Sequence, residues 1–230
     1  MNNDEYLKNY KPEKYDKLSL TVDALIFSII NDKLCIRLVK RNKPPFKGLL
    51  SLPGTFVKIN ESLEDAVKRV LDEKAGFSDI YFEQLHTYGD VDRDPRMRIV
   101  SVSYISLLSE ESLLQVMTKE EIKENFVDMD YILNNPSLLA FDHHKIVQNA
   151  RNQLAQKAED YNISFEFLPE EFTLPRLQKI TEILLGHNLY KANFRKKVQD
   201  KVIATNTYTS GDAFRPSMLY TVADKDSFKV

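Results

Sequence analysis

Five cationic side chains lie close together near the end of the chain. Between Gly186 and Ile203 the sequence has one acidic residue, Asp200, so these 18 residues carry an excess of four positive charges. The cations are Lys191, Arg195, Lys196, Lys197 and Lys201. The whole chain of 230 residues, in contrast, has a formal net charge of −2. A local patch of this kind suits the neutralisation of phosphates, although a charge run is also often the solvated face of a helix.

The residues around this patch predict the elements that would present it. In chain order these are a helix starting at Thr173-Leu174-Pro175, a turn at Gly186-His187-Asn188, a second helix over about 191–201, and strands at 203–209 and 218–222. Two helices joined by a tight turn and followed by a β-hairpin are typical of a winged helix-turn-helix. We therefore expect a winged-helix DNA-binding domain over residues 161–230.

Within that domain seven residues are candidate contacts to double-stranded DNA: Lys191, Asn193, Arg195, Lys196, Lys197, Lys201 and Arg215. Asn193 and Arg195 carry side chains that suit base edges or phosphates, whereas the lysines suit phosphates. Arg215 lies in the predicted wing and would reach a groove.

Composition excludes several classes of protein. Apolar residues make up 43% of the chain and charged residues 29%, which supports a normal core and argues against disorder. The single cysteine, Cys35, forms no disulfide or thiolate cluster alone and is expected to pack in a strand. The polar N-terminus resembles no signal peptide, and the apolar stretch 18–30 is too short to cross a membrane. We expect a cytoplasmic protein without a membrane partner.

The remainder of the chain reads as a lead-in over residues 1–18 and one α+β domain over residues 19–160. Its predicted strands cover 19–30, 33–40, 49–52, 80–88, 99–108 and 125–129, and its helices cover 62–74 and 142–157. Asn31-Asp32, between the first two strands, is a turn signal that predicts a β-hairpin. Ser62, with Asp65 three residues later, is the expected N-cap of the first helix, and Gly76 is its end. Strands and helices in this order predict an α+β sandwich.

The most specific motif is the segment 53–77, PGTFVKINESLEDAVKRVLDEKAGF. It resembles the Nudix box, G-x5-E-x7-R-E-U-x-E-E-x-G-U, where U is a bulky apolar residue. Glu61, Arg69, Glu73, Gly76 and Phe77 match that pattern. Three positions depart from it: Thr55 replaces the opening glycine, Val70 the glutamate after the arginine, and Lys74 the last glutamate.

This resemblance implies a Nudix-like α/β/α sandwich with a mixed sheet, in which helical carboxylates normally hold Mg²⁺ and activate water. Here Val70 and Lys74 remove two of the three carboxylates from that face. We therefore predict a degenerate box, with Glu61, Arg69 and Glu73 as remnants, no catalytic residue, no metal site and no cofactor. Mg²⁺ would be required only if the chain were a hydrolase after all. Carboxylates elsewhere would then have to hold it, such as Glu83, Asp90 or Asp94.

Further motifs extend the resemblance beyond the box. Residues 88–96 (YGDVDRDPR) with the strand 98–104, and the C-terminal stretches 172–178 and 193–197, resemble Nudix-related bacterial transcription regulators. That family includes repressors that sense ADP-ribose or arabinose. The resemblance implies a ligand-sensing Nudix-like domain that controls a winged helix, usually in a homodimer.

The resemblance also locates an effector pocket over the sheet. Its candidate residues are Arg41, Phe56, Arg93, Asp94 and Arg98, since arginines bind phosphate in two-bond geometry and a phenyl ring stacks on a base or sugar. Each has a structural alternative. Arg93, Asp94 and Arg98 would equally form an ion-paired turn, Phe56 would belong to the core, and Arg41 would be solvated.

Three hypotheses follow. The first is a dimeric, ligand-responsive repressor that senses a sugar or a nucleotide-sugar, either arabinose-like or ADP-ribose-like. The second is a Mg²⁺-dependent pyrophosphohydrolase of a nucleoside diphosphate derivative such as ADP-ribose. The third is a protein-interaction module, which an absence of DNA affinity at low salt would favour.

Overall fold

The computed structural model describes residues 2–77, 80–209 and 216–224, without the side chains of residues 4, 12, 74 and 75. A short helix, α1 (Asn3–Asn9), and a 3-10 turn (Pro12–Lys14) precede the first strand. Within the described ranges no helix is long and apolar enough to cross a membrane.

A mixed six-stranded sheet forms the centre of the first part of the chain. The strands in chain order are β1 (Ser19–Ile30), β2 (Lys33–Arg37), β3 (Val39–Lys40), β4 (Leu50–Ser51), β5 (Gly54–Phe56), β6 (Phe82–Tyr88), β7 (Ile99–Leu108) and β8 (Phe126–Asp128). The sheet order is β6-β7-β1-β2-β8, with β5 paired to the start of β1, while β3 and β4 form a separate pair. The pairing of β1 with β7 is parallel and that of β1 with β2 is antiparallel.

Strand β1 is central because both of its faces are apolar and buried. Leu25, Phe27 and Ile29 belong to one core, on the face covered by the later helices, and Ala24 and Ile26 belong to the other. A strand buried on both faces reads as a continuous apolar run rather than as an alternating one.

The turn between β1 and β2 confirms the predicted hairpin. Asn31 and Asp32 have positive φ values of 49° and 59°. A two-residue turn with both central residues at positive φ matches the twist of the flanking strands, and Asn and Asp tolerate that conformation.

Helix α2 (Leu63–Ala75) forms where the apolar spacing predicts it. Ser62 and Asp65 form a reciprocal capping box at its start, and Gly76, with φ of 72°, ends it in the left-handed conformation. Val67 and Val70 lie on the buried face, packed in the core on one side of the sheet.

Three short helices were not predicted. They are α3 (Glu110–Val116), α4 (Lys119–Asn125) and α5 (Met129–Asn134). Their N-caps, Ser109, Thr118 and Asp128, each accept a backbone hydrogen bond through the side chain, so a local signal was present. The predicted strand 33–40 is divided between β2 and β3.

The second part of the chain is helical and ends in a hairpin. Its elements are α6 (His143–Lys157), 3-10 segments at Ala158–Asp160 and Asn162–Phe167, α7 (Leu174–Leu185), α8 (Lys191–Val198), β9 (Val202–Tyr208) and β10 (Met218–Val222). Thr173 caps α7, Pro175 lies in its first turn, and Gly186, with φ of 78°, ends it. Helix α8 stops before the predicted limit of 201.

The apolar core continues from the sheet into this second part. Leu154 of α6 belongs to the same buried cluster as Leu177 and Leu184 of α7 and Phe194 of α8. Tyr161, between the two 3-10 segments, stacks on Phe194 with ring centroids 5.6 Å apart. Helix α6 therefore packs against α7, the first helix of the predicted helix-turn-helix.

Candidate functional site

A cavity of about 470 Å³ opens beside the central sheet. We call it the ligand cavity. Its walls come from β1, the loop after β3, the segment around β5, the turn after β6 and the start of α6; they include Asp23, Arg41, Gly54, Phe56, Arg93, Asp94, Arg96, Phe141 and His143. Gly54 is required here, because a Cβ atom at this position would stand 2.9 Å from the backbone oxygen of Val22 and would also clash with the Asp23 carboxylate.

The structure brings four of the five predicted effector residues to this cavity. Arg41, Phe56, Arg93 and Asp94 line it. Phe56 is 45% exposed, so its expected alternative as a core residue is wrong. Arg98 does not line the cavity, and its Nη1 instead donates to the Asp90 carbonyl at 2.9 Å. The predicted grouping is therefore wrong for Arg98, while effector binding by the other four stays a prediction.

Arg93 is committed to a buried ion pair. Its Nε and Nη2 donate to the two carboxylate oxygens of Asp142 at 2.9 and 2.8 Å. Both side chains are almost inaccessible, at 5% and 9% exposure. Nη2 also lies 3.9 Å from the Asp23 carboxylate, which accepts a hydrogen bond from Ser101. This arrangement fixes the turn after β6 to the start of α6.

Asp94 and Arg96 form a second pair at the cavity wall. The Asp94 carboxylate accepts hydrogen bonds from the backbone N–H, Nε and Nη2 of Arg96 at 2.7–3.0 Å. Burial opposes ionisation of Asp94, but the bonds from Arg96 outweigh it and hold its pKa below the usual value. Asp94 is therefore a positioned carboxylate that orients Arg96.

Two guanidinium groups flank Phe141, a residue that the sequence did not single out. The Cζ atoms of Arg41 and Arg96 lie 4.7 and 5.6 Å from the Phe141 ring centroid. The Nε of Arg41 donates to the Pro45 carbonyl at 2.8 Å, and the Phe46 ring meets Phe141 edge-on at 4.8 Å. Cations held against a ring face in this way are pre-oriented toward an anion in the cavity.

His143 was also missed as a cavity residue. The sequence suggested only the first turn of a helix, but its Nδ1 accepts a hydrogen bond from the Leu52 N–H at 3.0 Å. Burial lowers the pKa of His143, so the imidazole is neutral at pH 7. With Nδ1 as the acceptor, its proton is on Nε2.

The remnants of the box hold a loop in place. Arg69 donates through Nε and Nη2 to the Glu61 carboxylate at 3.1 and 2.6 Å, and it also reaches the Thr55 hydroxyl and the Phe56 carbonyl. The Glu73 side chain is 57% exposed and 3.9 Å from Arg69. This network fixes the segment that carries Phe56 into the cavity wall.

The same helix does not fit a Mg²⁺ cluster. Val70 is 1% exposed and packs in the core, while Glu61 is paired with Arg69. Over the described residues, no group of three or more His, Cys, Asp or Glu side chains is arranged to hold a metal ion. A hard divalent cation needs several oxygen ligands at one point, and this face supplies no such set.

Helix α8 presents part of the predicted DNA-binding set. Phe194 and Val198 are buried beneath it, whereas Lys191, Asn193, Arg195 and Lys196 are exposed. Lys179 of α7, which the sequence analysis did not select, joins Lys191 and Arg195 along a groove of about 250 Å³ between the two helices. Arg215 lies outside the described residues.

Two of the predicted cations point in another direction. The Lys197 ammonium lies 4.7 Å from the centroid of the Tyr161 ring and donates to the Glu159 carbonyl at 3.3 Å. The Lys201 ammonium donates to the Asn162 side chain at 2.6 Å. The cluster of five cations in the sequence is therefore divided between the exposed face of α8 and the segment that follows α6.

Each of the two parts of the chain matches a known protein-family model. Residues 19–150 match the model of the NUDIX domain, and residues 164–222 match that of the NrtR DNA-binding winged helix domain. The chain belongs to the Nudix-related transcriptional regulators. This assignment confirms the predicted family and fold class, a Nudix-like sandwich followed by a winged helix.

Two similar regulators, one of them compared in two structures, give the details of the similarity. The chain is 35% identical over 224 residues to the ADPR responsive transcriptional repressor NtrR of Acinetobacter baylyi, covering 96% of this chain and 88% of the relative. It is 36% identical to Shewanella oneidensis NrtR in a complex with a 27mer DNA, with a TM-score of 0.76 over 88% of this chain and 93% of that structure. The NUDIX domain of the same Shewanella protein, complexed with ADP ribose, gives 36% identity and a TM-score of 0.55 over 67% of this chain and 99% of that structure.

Proposed function

We propose that this Nudix-related regulator is a repressor whose DNA binding is controlled by ADP-ribose, or a close nucleotide analogue, bound in the ligand cavity without being cleaved. The observation that carries the proposal is the placement of Arg41 and Arg96 on the Phe141 ring at the cavity wall. The similarity to an ADPR responsive repressor supports the same effector.

The chemistry of the cavity favours a nucleotide over a plain sugar. Guanidinium groups form charge-assisted hydrogen bonds with phosphate oxygens, whereas a neutral pentose offers them only hydroxyl groups. The half-exposed ring of Phe56 adds a flat apolar surface on which a base or ribose stacks. We therefore propose ADP-ribose in place of the arabinose-like effector that the sequence left open.

Binding without hydrolysis is supported by the helix that carries the box. The Val70 side chain belongs to the core, and the Glu61 carboxylate is occupied by Arg69. Neither residue is in a position to share a Mg²⁺ ion or to activate water. The pyrophosphohydrolase alternative therefore has no metal centre to act through among the described residues.

The DNA-binding half of the proposal rests on the exposed face of α8. Lys196 and Arg195 point away from the core on the second helix of the helix-turn-helix, the element that enters the major groove in this motif. Since the family resemblance implies a homodimer, we extend the proposal to two copies on a palindromic operator. Sedimentation of the protein–DNA complex tests this extension, and a single copy per operator would contradict it.

Control of DNA binding then follows from linkage. ADP-ribose changes operator affinity only if it binds the DNA-competent and DNA-incompetent arrangements with different affinity. By reciprocity, DNA must change the affinity for ADP-ribose by the same factor. Binding of the two ligands is therefore sufficient, and no chemical step is required.

Calorimetric titration without Mg²⁺ tests the effector. We expect ADP-ribose to bind, and L-arabinose and ribose 5-phosphate to bind at least tenfold more weakly. R96M and R41M should each weaken ADP-ribose binding by about tenfold, because each removes one charge-assisted contact. R98M is the matched control and should leave the affinity unchanged, since Arg98 lies outside the cavity.

Product analysis after incubation of the protein with ADP-ribose and Mg²⁺ separates a sensor from an enzyme. We expect ADP-ribose to remain intact after prolonged incubation with Mg²⁺. Formation of AMP and ribose 5-phosphate in a Mg²⁺-dependent manner would overturn the proposal in favour of the hydrolase. Tighter binding of arabinose than of ADP-ribose would overturn the choice of effector.

A further inference from the structure

Helix α7 is held at both ends by residues from the Nudix-like part of the chain. At its C-terminal end, Nη1 of Arg151 donates to the Leu184 carbonyl at 2.8 Å. At its N-terminal end, Nη1 of Arg176 lies 2.7 Å from Oδ1 of Asp32 in the β1–β2 turn. These two contacts join the same two regions, but they lead to different places in the Nudix-like part.

The Arg151 contact leads to the ligand cavity. Arg151 belongs to α6, whose first turn forms part of the cavity wall through His143. The preceding residue, Asp142, holds Arg93 in the buried ion pair. His143 and Arg151 are eight residues apart on one uninterrupted helix, a distance of about 12 Å along its axis.

The body of α6 is packed against α7 as well. Ala150 and Leu154 are fully buried in the cluster that contains Leu177, Ile180 and Leu184 of α7. A well-packed interior transmits small displacements because it contains few voids that would absorb them. A shift of the first turn of α6 toward a ligand would therefore also displace α7.

Arg151 contacts the C-terminal end of α7, at the Leu184 carbonyl. The last carbonyls of a helix have no partner within the helix, and a cation there also interacts favourably with the helix dipole. Gly186 follows directly and begins the turn to α8, and Nη2 of Arg151 lies 3.5 Å from the position that a Cβ of Gly186 would occupy. Arg151 therefore fixes the end of α7 at the turn that orients α8.

The Arg176 contact provides an internal comparison. Asp32 lies in the turn between β1 and β2 and is not among the residues that line the cavity. Arg176 thus joins the two regions with similar chemistry but without connection to the first turn of α6. Loss of this contact should loosen the junction without affecting the path from the cavity.

We infer that Arg151 is the positioning residue through which occupancy of the ligand cavity changes the DNA affinity of the helix-turn-helix. This inference rests on the proposed function, since it requires that ADP-ribose binds the cavity and changes operator affinity. Arg151 itself contacts neither ligand. It makes α7 and the turn to α8 follow the displacement of α6.

The test measures the ratio of operator dissociation constants with and without saturating ADP-ribose. The probe is a fluorescein-labelled duplex that the wild-type protein selects from a randomised library, and the readout is anisotropy. R151M keeps most of the aliphatic side chain and removes the donor. We expect R151M to reduce the factor by which ADP-ribose changes the operator dissociation constant by about fivefold, which is most of a typical allosteric coupling. Calorimetry should give an ADP-ribose affinity of the DNA-free protein within twofold of wild type.

Two further variants separate positioning from simple loosening. R151K restores a cationic donor and should recover most of the wild-type ratio. R176M removes the other contact and should change operator affinity with and without ADP-ribose equally, so that the ratio is kept. If R151M fails to fold in thermal denaturation, R151Q takes its place with the same expected loss.

The outcomes are distinguishable. A wild-type protein that does not bind ADP-ribose overturns the proposed function and this inference with it. A wild-type protein with coupling that R151M retains, or that R176M reduces as much as R151M does, overturns the inference alone. A selective loss in R151M, with recovery in R151K, supports it.

Discussion

Arg93 and Asp142, 49 residues apart in the chain, form a two-bond ion pair that is almost inaccessible to solvent beside the ligand cavity. The pair joins the turn after β6 to the residue that precedes α6. It therefore fixes two walls of the cavity relative to each other, and it occupies the Nε and Nη2 groups of Arg93.

Removal of Arg93 should destabilise the fold. R93M leaves the Asp142 carboxylate buried without its partner, and we expect the free energy of unfolding to fall by about 3–5 kcal/mol in urea denaturation. R98M, which removes an exposed arginine from the same segment, should change it by less than about 1 kcal/mol. Equal stability of the two variants would show that the pair contributes nothing.

The buried His143 predicts a pH dependence of stability. Burial lowers the pKa of His143 in the folded chain below the usual 6.5. As the pH falls, this histidine therefore binds a proton in the unfolded chain before it does so in the folded chain. The free energy of unfolding should therefore decrease as the pH falls from 7 to 5, by up to about 1.4 kcal/mol per pH unit from this group. H143Q, whose side chain does not titrate, should flatten that slope.

The control for this measurement is H187Q, at an exposed position in the turn between α7 and α8. It should retain the wild-type slope between pH 5 and pH 7. A slope that survives in H143Q but disappears in H187Q would assign the dependence to the wrong histidine.

Restoring a glutamate at position 70 should not restore catalysis. The V70E side chain would enter apolar contacts with Val67 and the facing strands, so we expect the free energy of unfolding to fall by about 2–4 kcal/mol. No Mg²⁺-dependent cleavage of ADP-ribose should appear. K68E places a glutamate at an exposed position of α2 and should cost less than about 0.5 kcal/mol. Turnover by V70E would contradict this account of the degenerate box.

The exposed cations of α8 predict a salt-dependent DNA affinity. K196Q should weaken binding and lower the slope of log K against log salt by about one, the change expected for one lost phosphate contact. K119Q, on the exposed side of α4, should change neither quantity. We expect K197Q to keep the wild-type slope, because its ammonium lies against the Tyr161 ring. If K196Q and K197Q lower the slope equally, Lys197 also contacts a DNA phosphate.

Local signals account for the elements that the sequence predicted well. The capping box of Ser62 and Asp65, the Asn31-Asp32 turn and the Thr173 cap each act within about four residues, so their spacing can be read directly. The short helices α3 to α5 carried the same kind of cap but too few residues for an apolar period. Their position depends on packing against the sheet, with α3 on β1, α4 on β8 and α5 on β2 and β8, rather than on their own propensity.

The family, the order of the elements and the loss of carboxylates from the box can be read from the amino-acid sequence, because motifs and periodicities are properties of spacing along the chain. Three contacts required the folded structure: Phe141 with Arg41 and Arg96, Arg93 with Asp142, and Lys197 with Tyr161. These contacts join residues that are mostly tens of positions apart, or they depend on which side of a helix faces the core. Both follow from the parallel pairing of β1 with β7 and the packing of α6, which no local pattern specifies.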